Sequence, residues 1–417
     1  MSEQTVIALD RAGDGILETP DSARKTVPLA LPGDRVRLGE DLCEIRPLSR
    51  ERVAPGCAVF GRCGGCRMLH AADPLYAAWK HDLVAEAFAV AGLAPPLAPM
   101  ARSPLASRRR MTLSASNKGG AMRVGYFARA SHDIVDIDTC PALDPALAAA
   151  LPALRQIAAD AAARSAGEAR LVATLCDNGI DAALTIPRPQ RGRRTARRGK
   201  GKPPRRAPPT LPDPAIIRLS EGEEMLLQHE VPTVSFGGVP VAFPAGAFVQ
   251  ATRAGEAALT EAMLAGVGSA TRVLDAFCGL GTFALPLTRG AEVVAVDVDG
   301  PAIAALEAAA RRATGRRPLR AERRDLLRHP LSPRELERFD AVVFDPPRAG
   351  ARGLAEALAA TASVPTVVAV SCEPRTLARD CAILVAGGYE ITRVLPVDQF
   401  VASAHVECVA WLRRAPA

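Results

Sequence analysis

From Thr271 onward, short apolar runs rich in Val and Ala alternate with helix-like segments. The runs at residues 272–277, 293–297, 341–345 and 365–370 have the length and continuous hydrophobicity of strands buried on both faces. This alternation predicts a mostly parallel sheet covered by helices on both sides. Ligands of such sheets lie at the carboxyl ends of the strands, so those ends are where chemistry is sought.

The first run ends in Asp275-Ala276-Phe277-Cys278-Gly279-Leu280-Gly281-Thr282. Glycines at a strand-to-helix turn admit a cofactor close to the backbone. Asp297 closes the second run, 22 residues after Asp275, at a distance suited to a ribose. Asp325 follows a third short strand and is placed to reach an adenine amino group. The fourth run ends in Asp345-Pro346-Pro347-Arg348. The glycine loop is not the G-x-G-x-x-G of nicotinamide enzymes. With Asp325 and Asp345 it points to S-adenosylmethionine and methyl transfer rather than hydride transfer.

The fifth run stops at Cys372, within Val370-Ser371-Cys372-Glu373-Pro374-Arg375-Thr376-Leu377, and a helix is predicted from Pro374. A cysteine there is expected to have its thiolate favoured by the helix N-terminus. Asp-Pro-Pro followed by an aromatic residue would suggest methylation of an exocyclic amine, but Arg348 occupies that place. A cysteine at the cleft suggests attack on a pyrimidine ring carbon instead. Thiolate addition at C6 of uracil makes C5 enolate-like, and a base must then remove the C5 proton. His405 and Glu407 alternate with apolar residues, which predicts one shared strand face, with Glu407 as the base and its pKa raised in a dry cleft.

The preceding half is different in character. Strands at residues 5–9, 26–29 and 34–38, with turns at Asp14-Gly15 and Leu31-Pro32-Gly33, predict a small OB-like β-barrel over residues 1–50. An α+β central domain is expected over 51–235 and the catalytic domain over 236–417. Cys57, Cys63 and Cys66, spaced C-x5-C-x2-C, read as metal ligands, with Cys140 before Pro141 as the fourth; spacing alone leaves zinc and iron–sulfur open. An amphipathic helix follows at residues 76–91. Arg108, Arg109 and Arg110 open a hairpin and are candidates for phosphate contact. Residues 145–166 read as one helix.

Ten basic residues and no acid lie between Arg188 and Arg206, and removing them from a net charge of +7 leaves −3. The segment 187–214 is expected to be a disordered insertion that captures RNA through counterion release. Residues 1–10 lack the basic start and apolar core of a secretory signal, which predicts a cytoplasmic protein. The longest uncharged stretch, 231–252, is broken by Pro232, Pro240 and Pro244, so no membrane helix is expected. No protein partner is inferred.

Several of these motifs resemble, in order, those of the RNA 5-methyluridine methyltransferases: Phe248-Val249-Gln250, Asp275 to Gly281, Asp345 to Arg348, Val370 to Asp380, and His405-Val406-Glu407. Cys57, the Cys63-Gly64-Gly65-Cys66 turn and the later Cys140-Pro141 look like the 4Fe–4S signature of the bacterial 23S rRNA, RumA-like branch. Leu31-Pro32-Gly33-Asp34 resembles a TRAM domain. The resemblance implies a Rossmann-like class I methyltransferase domain behind the barrel and the central domain. It implies S-adenosylmethionine contacts by Gln250, Phe277, Thr282, Asp297, Asp325 and Asp345, a Cys372 nucleophile, a Glu407 proton acceptor and 23S rRNA as partner. Thr252 and Thr282 stand where the family has Asn, Asp297 where it has Glu, and Val401 and Ser403 where it has Pro and Thr. The rivals are the tRNA uridine enzymes, which lack the cysteines, RNA cytosine-5 enzymes, which carry a cysteine beside the strand-four proline, and a non-catalytic assembly factor.

Overall fold

The computed structural model describes residues 3–18, 24–39, 43–118, 120–165, 167–187 and 211–414. The expected basic insertion therefore lies, from 188 to 210, outside the described residues. Strands β1 (Glu3–Leu9), β2 (Gly15–Glu18), β3 (Arg24–Val27), β4 (Arg35–Leu38) and β5 (Cys43–Arg46) form an antiparallel sheet in the order β3-β2-β1-β4-β5. Its small core is Val6, Leu17, Val27, Ala30 and Val36. Asp34 is buried and accepts N–H groups from Leu31 at 2.8 Å and from Leu48 and Ser49 at 3.0 and 2.9 Å. One carboxylate thus closes the Leu31-Pro32-Gly33 turn and ties it to the chain leaving the sheet.

Next come α1 (Asp73–Val90), β6 (Ala101–Arg102), β7 (Arg110–Ser116), β8 (Arg123–Phe127), β9 (Ile134–Asp136), α2 (Pro145–Ala149), α3 (Leu151–Arg164), β10 (Glu168–Leu175), β11 (Ile180–Thr185), β12 (Ile216–Glu221) and β13 (Glu224–Gln228). Seven of these strands make a sheet, β13-β12-β11-β10-β7-β8-β9, with α3 packed on one face through Leu154 and Ile157. The single helix expected over 145–166 is two. Pro152 has no N–H to continue the first ladder, and α3 starts afresh at Leu151.

The remaining elements are β14 (Thr233–Phe236), β15 (Val239–Ala242), α4 (Arg253–Val267), β16 (Arg272–Ala276), α5 (Ala284–Leu287), β17 (Glu292–Asp297), α6 (Gly300–Arg312), β18 (Leu319–Arg323), α7 (Pro333–Leu336), β19 (Ala341–Phe344), α8 (Arg352–Ala360), β20 (Thr366–Ser371), α9 (Pro374–Ala386), β21 (Tyr389–Asp398) and β22 (Glu407–Arg414). The large sheet runs β18-β17-β16-β19-β20-β22-β21-β6. Strands β16 to β20 pair in parallel, and β22 enters antiparallel between β20 and β21. Alternate residues face opposite layers. Leu274, Val342, Phe344 and Val367 pack with α8, α9 and α1, while Val273, Val343 and Val368 pack with α4 and α6. The strand order turns back between β16 and β19, which opens the crevice where such sheets bind ligands. This is the expected Rossmann-like α/β architecture.

Two features of the large sheet tie it to the preceding half. Helix α1 lays Tyr76, Trp79, Leu83 and Phe88 into the α8–α9 layer, and β6 pairs with β21 as an edge strand. Strand β22 begins at Glu407, so His405 does not share its face as expected. It lies in the preceding loop, where its carbonyl is held by Lys80.

Candidate active site

The carboxyl ends of β16, β17, β19 and β20 open into a cavity of about 490 Å³. Gln250, Phe277, Thr282, Asp297, Asp325, Asp345, Cys372 and Glu407 all line it. The eight residues predicted for cofactor and catalysis therefore converge. Phe277 holds a left-handed backbone, φ 63°, while its N–H and that of Cys278 both donate to Val296 O. Such strain in a non-glycine residue is retained where surrounding bonds over-determine it. Gly279 also has a left-handed φ, and open space surrounds the place a Cβ would take, so the turn leaves its backbone clear for a ligand.

Asp297 does more than was expected of it. Its Oδ2 accepts Gly279 N at 2.9 Å and its Oδ1 accepts Asp299 N at 2.8 Å, so it shapes the glycine turn while facing the cavity. Asp325 caps its own turn, accepting Leu327 N at 3.1 Å. Thr252 does not reach the cavity; it caps α4 by accepting Gly255 N at 2.9 Å. Five carboxylates line the cavity (Asp297, Asp299, Asp325, Asp345 and Glu407) against two arginines, Arg324 and Arg348. Asp275 lies buried behind it, its pKa raised by burial and then by Asp345 and Asp297. A cationic nucleoside relieves such crowding of negative charge, so these residues fit S-adenosylmethionine.

Strands β20 and β22 pair Ser371 with Cys408, so Cys372, just past β20, and Glu407, the first residue of β22, adjoin that last pair. The expected thiolate preference does not hold. Burial, then Glu407 and Asp345, pushes the Cys372 thiol up to about 12, with Arg348 opposing. The helix that was to favour the anion is capped by Glu373, which accepts Arg375 N at 3.4 Å and places a carboxylate at the positive end of the dipole. Glu407 is buried, and burial followed by Asp345 raises its pKa well above the ordinary carboxylate range, as the sequence suggested. Asp345 is pushed up to about 7 by burial, against its hydrogen bond from Gln250.

A second cavity, about 390 Å³, lies beside the first and shares Phe248 and Arg348 with it. Cys57, Cys63, Cys66 and Cys140 all line this cavity. Burial, then the neighbouring Cys140, Cys63 and Cys57, pushes the Cys66 thiol up to about 12. Among the described residues no three His, Cys, Asp or Glu side chains converge tightly enough to hold a single ion. Gly64 has a further reason to be glycine. Its N–H donates to Phe127 O at 2.9 Å, and a Cβ there would stand 3.0 Å from that oxygen.

The arginine triplet splits by alternation. Arg108 and Arg110 line the second cavity, over the rings of Phe400 and Phe248. Arg109 points inward, is buried, and pairs with Glu256 while donating to Gln250 O at 3.0 Å, so it holds the scaffold and is not free for phosphate. Phe248 is 61% exposed between the two cavities. Sequence reasoning missed Gln399, which bridges Gln250 and Glu407. Its only signal was a polar pair, Asp398-Gln399, at the end of an apolar strand.

Comparison with known proteins places this geometry in a class. Residues 322–415 match the family model described as tRNA (Uracil-5-)-methyltransferase. An uncharacterized RNA methyltransferase of Rhizobium meliloti is 42% identical, over 98% of this chain and 99% of its own. The 23S rRNA (uracil(1939)-C(5))-methyltransferase RlmD of Chromohalobacter salexigens is 33% identical, over 96% of this chain and 87% of its own. The Pyrococcus abyssi tRNA (uracil-54, C5)-methyltransferase, solved with S-adenosyl-L-homocysteine, shares the fold at TM-score 0.71 and 20% identity, covering 98% of this chain and 99% of that one. The fold and relatives define an S-adenosylmethionine-dependent RNA methyltransferase. More narrowly, the chain belongs to the RNA (uracil-5-)-methyltransferase family.

Proposed function

We propose that this protein methylates C5 of a uracil in 23S rRNA through a transient bond between Cys372 and C6 of the base. The observation that carries the reading is that Cys372 and Glu407 adjoin the last β20–β22 pair and line one cavity. Gln250, Phe277, Thr282, Asp297, Asp325 and Asp345 would hold S-adenosylmethionine, which supplies an electrophilic methyl group when bound. Cys372 gives its proton to solvent, and its sulfur adds to C6, so the ring's electron pair becomes available at C5. Once C5 carries the methyl group, Glu407 takes the C5 proton. The electron pair left behind restores the C5–C6 double bond, and the C6–S bond breaks to return the Cys372 thiolate. Arg348 is the positive charge facing both side chains, and exposed Phe248 offers a ring on which an unstacked base can lie.

The choice of 23S rRNA is supported by the Chromohalobacter relative and by the four cysteines. Those cysteines would hold a 4Fe–4S cluster. The support for a cluster rather than zinc is the likeness of the cysteine pattern to the 23S rRNA branch of the family, and all four cysteines line one cavity. Pro347-Arg348, with no cysteine beside the proline, disfavours a cytosine target.

One experiment tests the chemistry. Incubated with S-adenosylmethionine and 23S rRNA transcribed with 5-fluorouridine, the protein should remain covalently attached, because fluorine cannot leave as a proton does. An adduct that survives in Cys372→Ala removes the assigned nucleophile; an adduct with tRNA in place of 23S rRNA moves the substrate to tRNA. Protein purified without oxygen should be coloured by iron and lose that absorbance in Cys63→Ser. A colourless zinc protein would overturn the cluster.

A further inference from the structure

Four buried or half-buried polar side chains run in one line from the cofactor cavity to the candidate base. Gln250 Nε2 donates to Asp345 Oδ2 at 3.0 Å. Gln399 Nε2 donates to Gln250 Oε1 at 2.6 Å and to Glu407 Oε1 at 3.0 Å. Gln399 Oε1 accepts Ala251 N at 2.8 Å. Gln399 follows the last residue of β21 and is 1% exposed. A Cβ on Gly255, at the start of α4, would stand 2.5 Å from its own Cβ, so the helix presses on it and leaves little room for another rotamer.

We propose that Gln399 is a positioning residue for proton removal: it fixes Glu407 through Oε1 and leaves Oε2 as the atom that takes the proton. The inference rests on Glu407 acting as the base. Its argument is one of donors and acceptors. The Ala251 N–H can bond only to the carbonyl end of the Gln399 amide, which sets the orientation of that amide. The NH₂ end then has two hydrogens and nothing to accept with, and both hydrogens are used. Glu407 Oε1 is therefore an acceptor whether the carboxyl is charged or neutral, and any proton on Glu407 sits on Oε2. That oxygen is buried and, among the described residues, has no hydrogen-bond partner, although the residue lines the cavity shared with Cys372. A buried, unpaired carboxyl oxygen is costly, and proton acceptance is a role that accounts for keeping it so.

The same line of amides keeps two carboxylates from drifting together. Asp345 faces Glu407 from the end of β19, Arg348 from the loop beyond it, Cys372 from the end of β20 and Gln399 from the end of β21. Asp398, the sequence neighbour of Gln399, is engaged by Lys80 and Tyr76. Of the groups facing Glu407, Gln399 and Arg348 favour its charged form. Loss of the amide therefore both frees Oε1 to rotate and raises the pH at which Glu407 can accept a proton.

The test separates attack from proton removal. With an ordinary 23S rRNA transcript, Gln399→Met should lower kcat by about tenfold or more, a fraction of what a general base contributes. It should also move the pH midpoint of kcat upward and let a covalent protein–RNA species accumulate. With the 5-fluorouridine transcript, which needs no proton removal, the same variant should form its adduct at the parent rate. Gln399→Glu, which keeps the shape but brings a third carboxylate, should move the pH midpoint further up. Unchanged turnover and pH profile in both variants, or loss of adduct on both transcripts in a folded variant, would show a packing residue and overturn the proposal. Failure of the parent protein to form the fluorinated adduct would instead bring down the Cys372 reading, and this inference with it.

Discussion

Burial raises the pKa of the Cys372 thiol, and the charges around it pull in both directions. Of the charges around it, Glu407 and Asp345 oppose ionisation and Arg348 assists it. Arg348→Gln should lower the rate of Cys372 alkylation by iodoacetamide at fixed pH by about tenfold, corresponding to roughly one pKa unit. Peptide mass spectrometry across a pH series reads this directly, and an unchanged profile would show that Arg348 serves RNA alone. Asp345 titrates in the other sense from a paired surface acid. Its folded pKa, about 7, lies above the unfolded carboxylate value of about 4, so its contribution to stability is present below that lower value. It is lost as pH rises through 7. Asp345→Asn should therefore flatten the decline of Tm between these two pH values, and a parallel decline in both proteins would contradict the assignment.

At the scale of elements, the loop joining β21 to β22 is built by the other half of the chain. Lys80 on α1, fully buried, pairs with Asp398 at 2.9 Å and donates to the carbonyls of Phe400 and His405. Tyr76 donates to Asp398 Oδ2 at 2.6 Å and accepts Ala402 N at 2.9 Å. The Arg67 and Met68 N–H groups, just past Cys66, both reach Ala402 O. Removing one member of a buried ion pair strands the other, so Lys80→Met should cost about 3–5 kcal/mol in urea denaturation. A loss no greater than that of a surface lysine would show that the pair carries little. The sequence made α1 legible as an amphipathic helix but hid this use of it, because the partner Asp398 lies 318 positions away and no local pattern connects the two. For the same reason His405 was assigned to a strand face. Alternation was visible, but the Lys80 anchor that holds the residue in a loop was not.

Across the whole molecule, the centre of the large sheet could be read from the chain because β16, β17, β19 and β20 are short apolar runs, with Asp297, Asp345 and Cys372 at or just past the carboxyl ends of the last three. What could not be read is long-range. The pairing of Gln250, Gln399 and Glu407, the inward turn of Arg109 and the suppression of the Cys372 thiolate all depend on which distant groups meet. Trp79 Nε1 bonds Asp10 O at 2.8 Å, and Arg11 stands 3.8 Å from Glu373, so the small N-terminal sheet also reaches the rim of the site. The basic segment between Arg188 and Arg206 is the largest block of positive charge in the sequence. Its deletion should weaken RNA binding at low salt and make the affinity less sensitive to salt, with Tm unchanged. Equal affinity and equal salt slope before and after deletion would remove it from RNA capture. Among the described residues no helix is long and apolar enough to cross a membrane.

Strand β22 is the last of the large sheet to leave the ribosome, yet it must slot between two strands made earlier. A nascent chain halted after β21 would leave the facing edges of β20 and β21 without the strand that pairs them, and would lack Glu407 at that strand's first position.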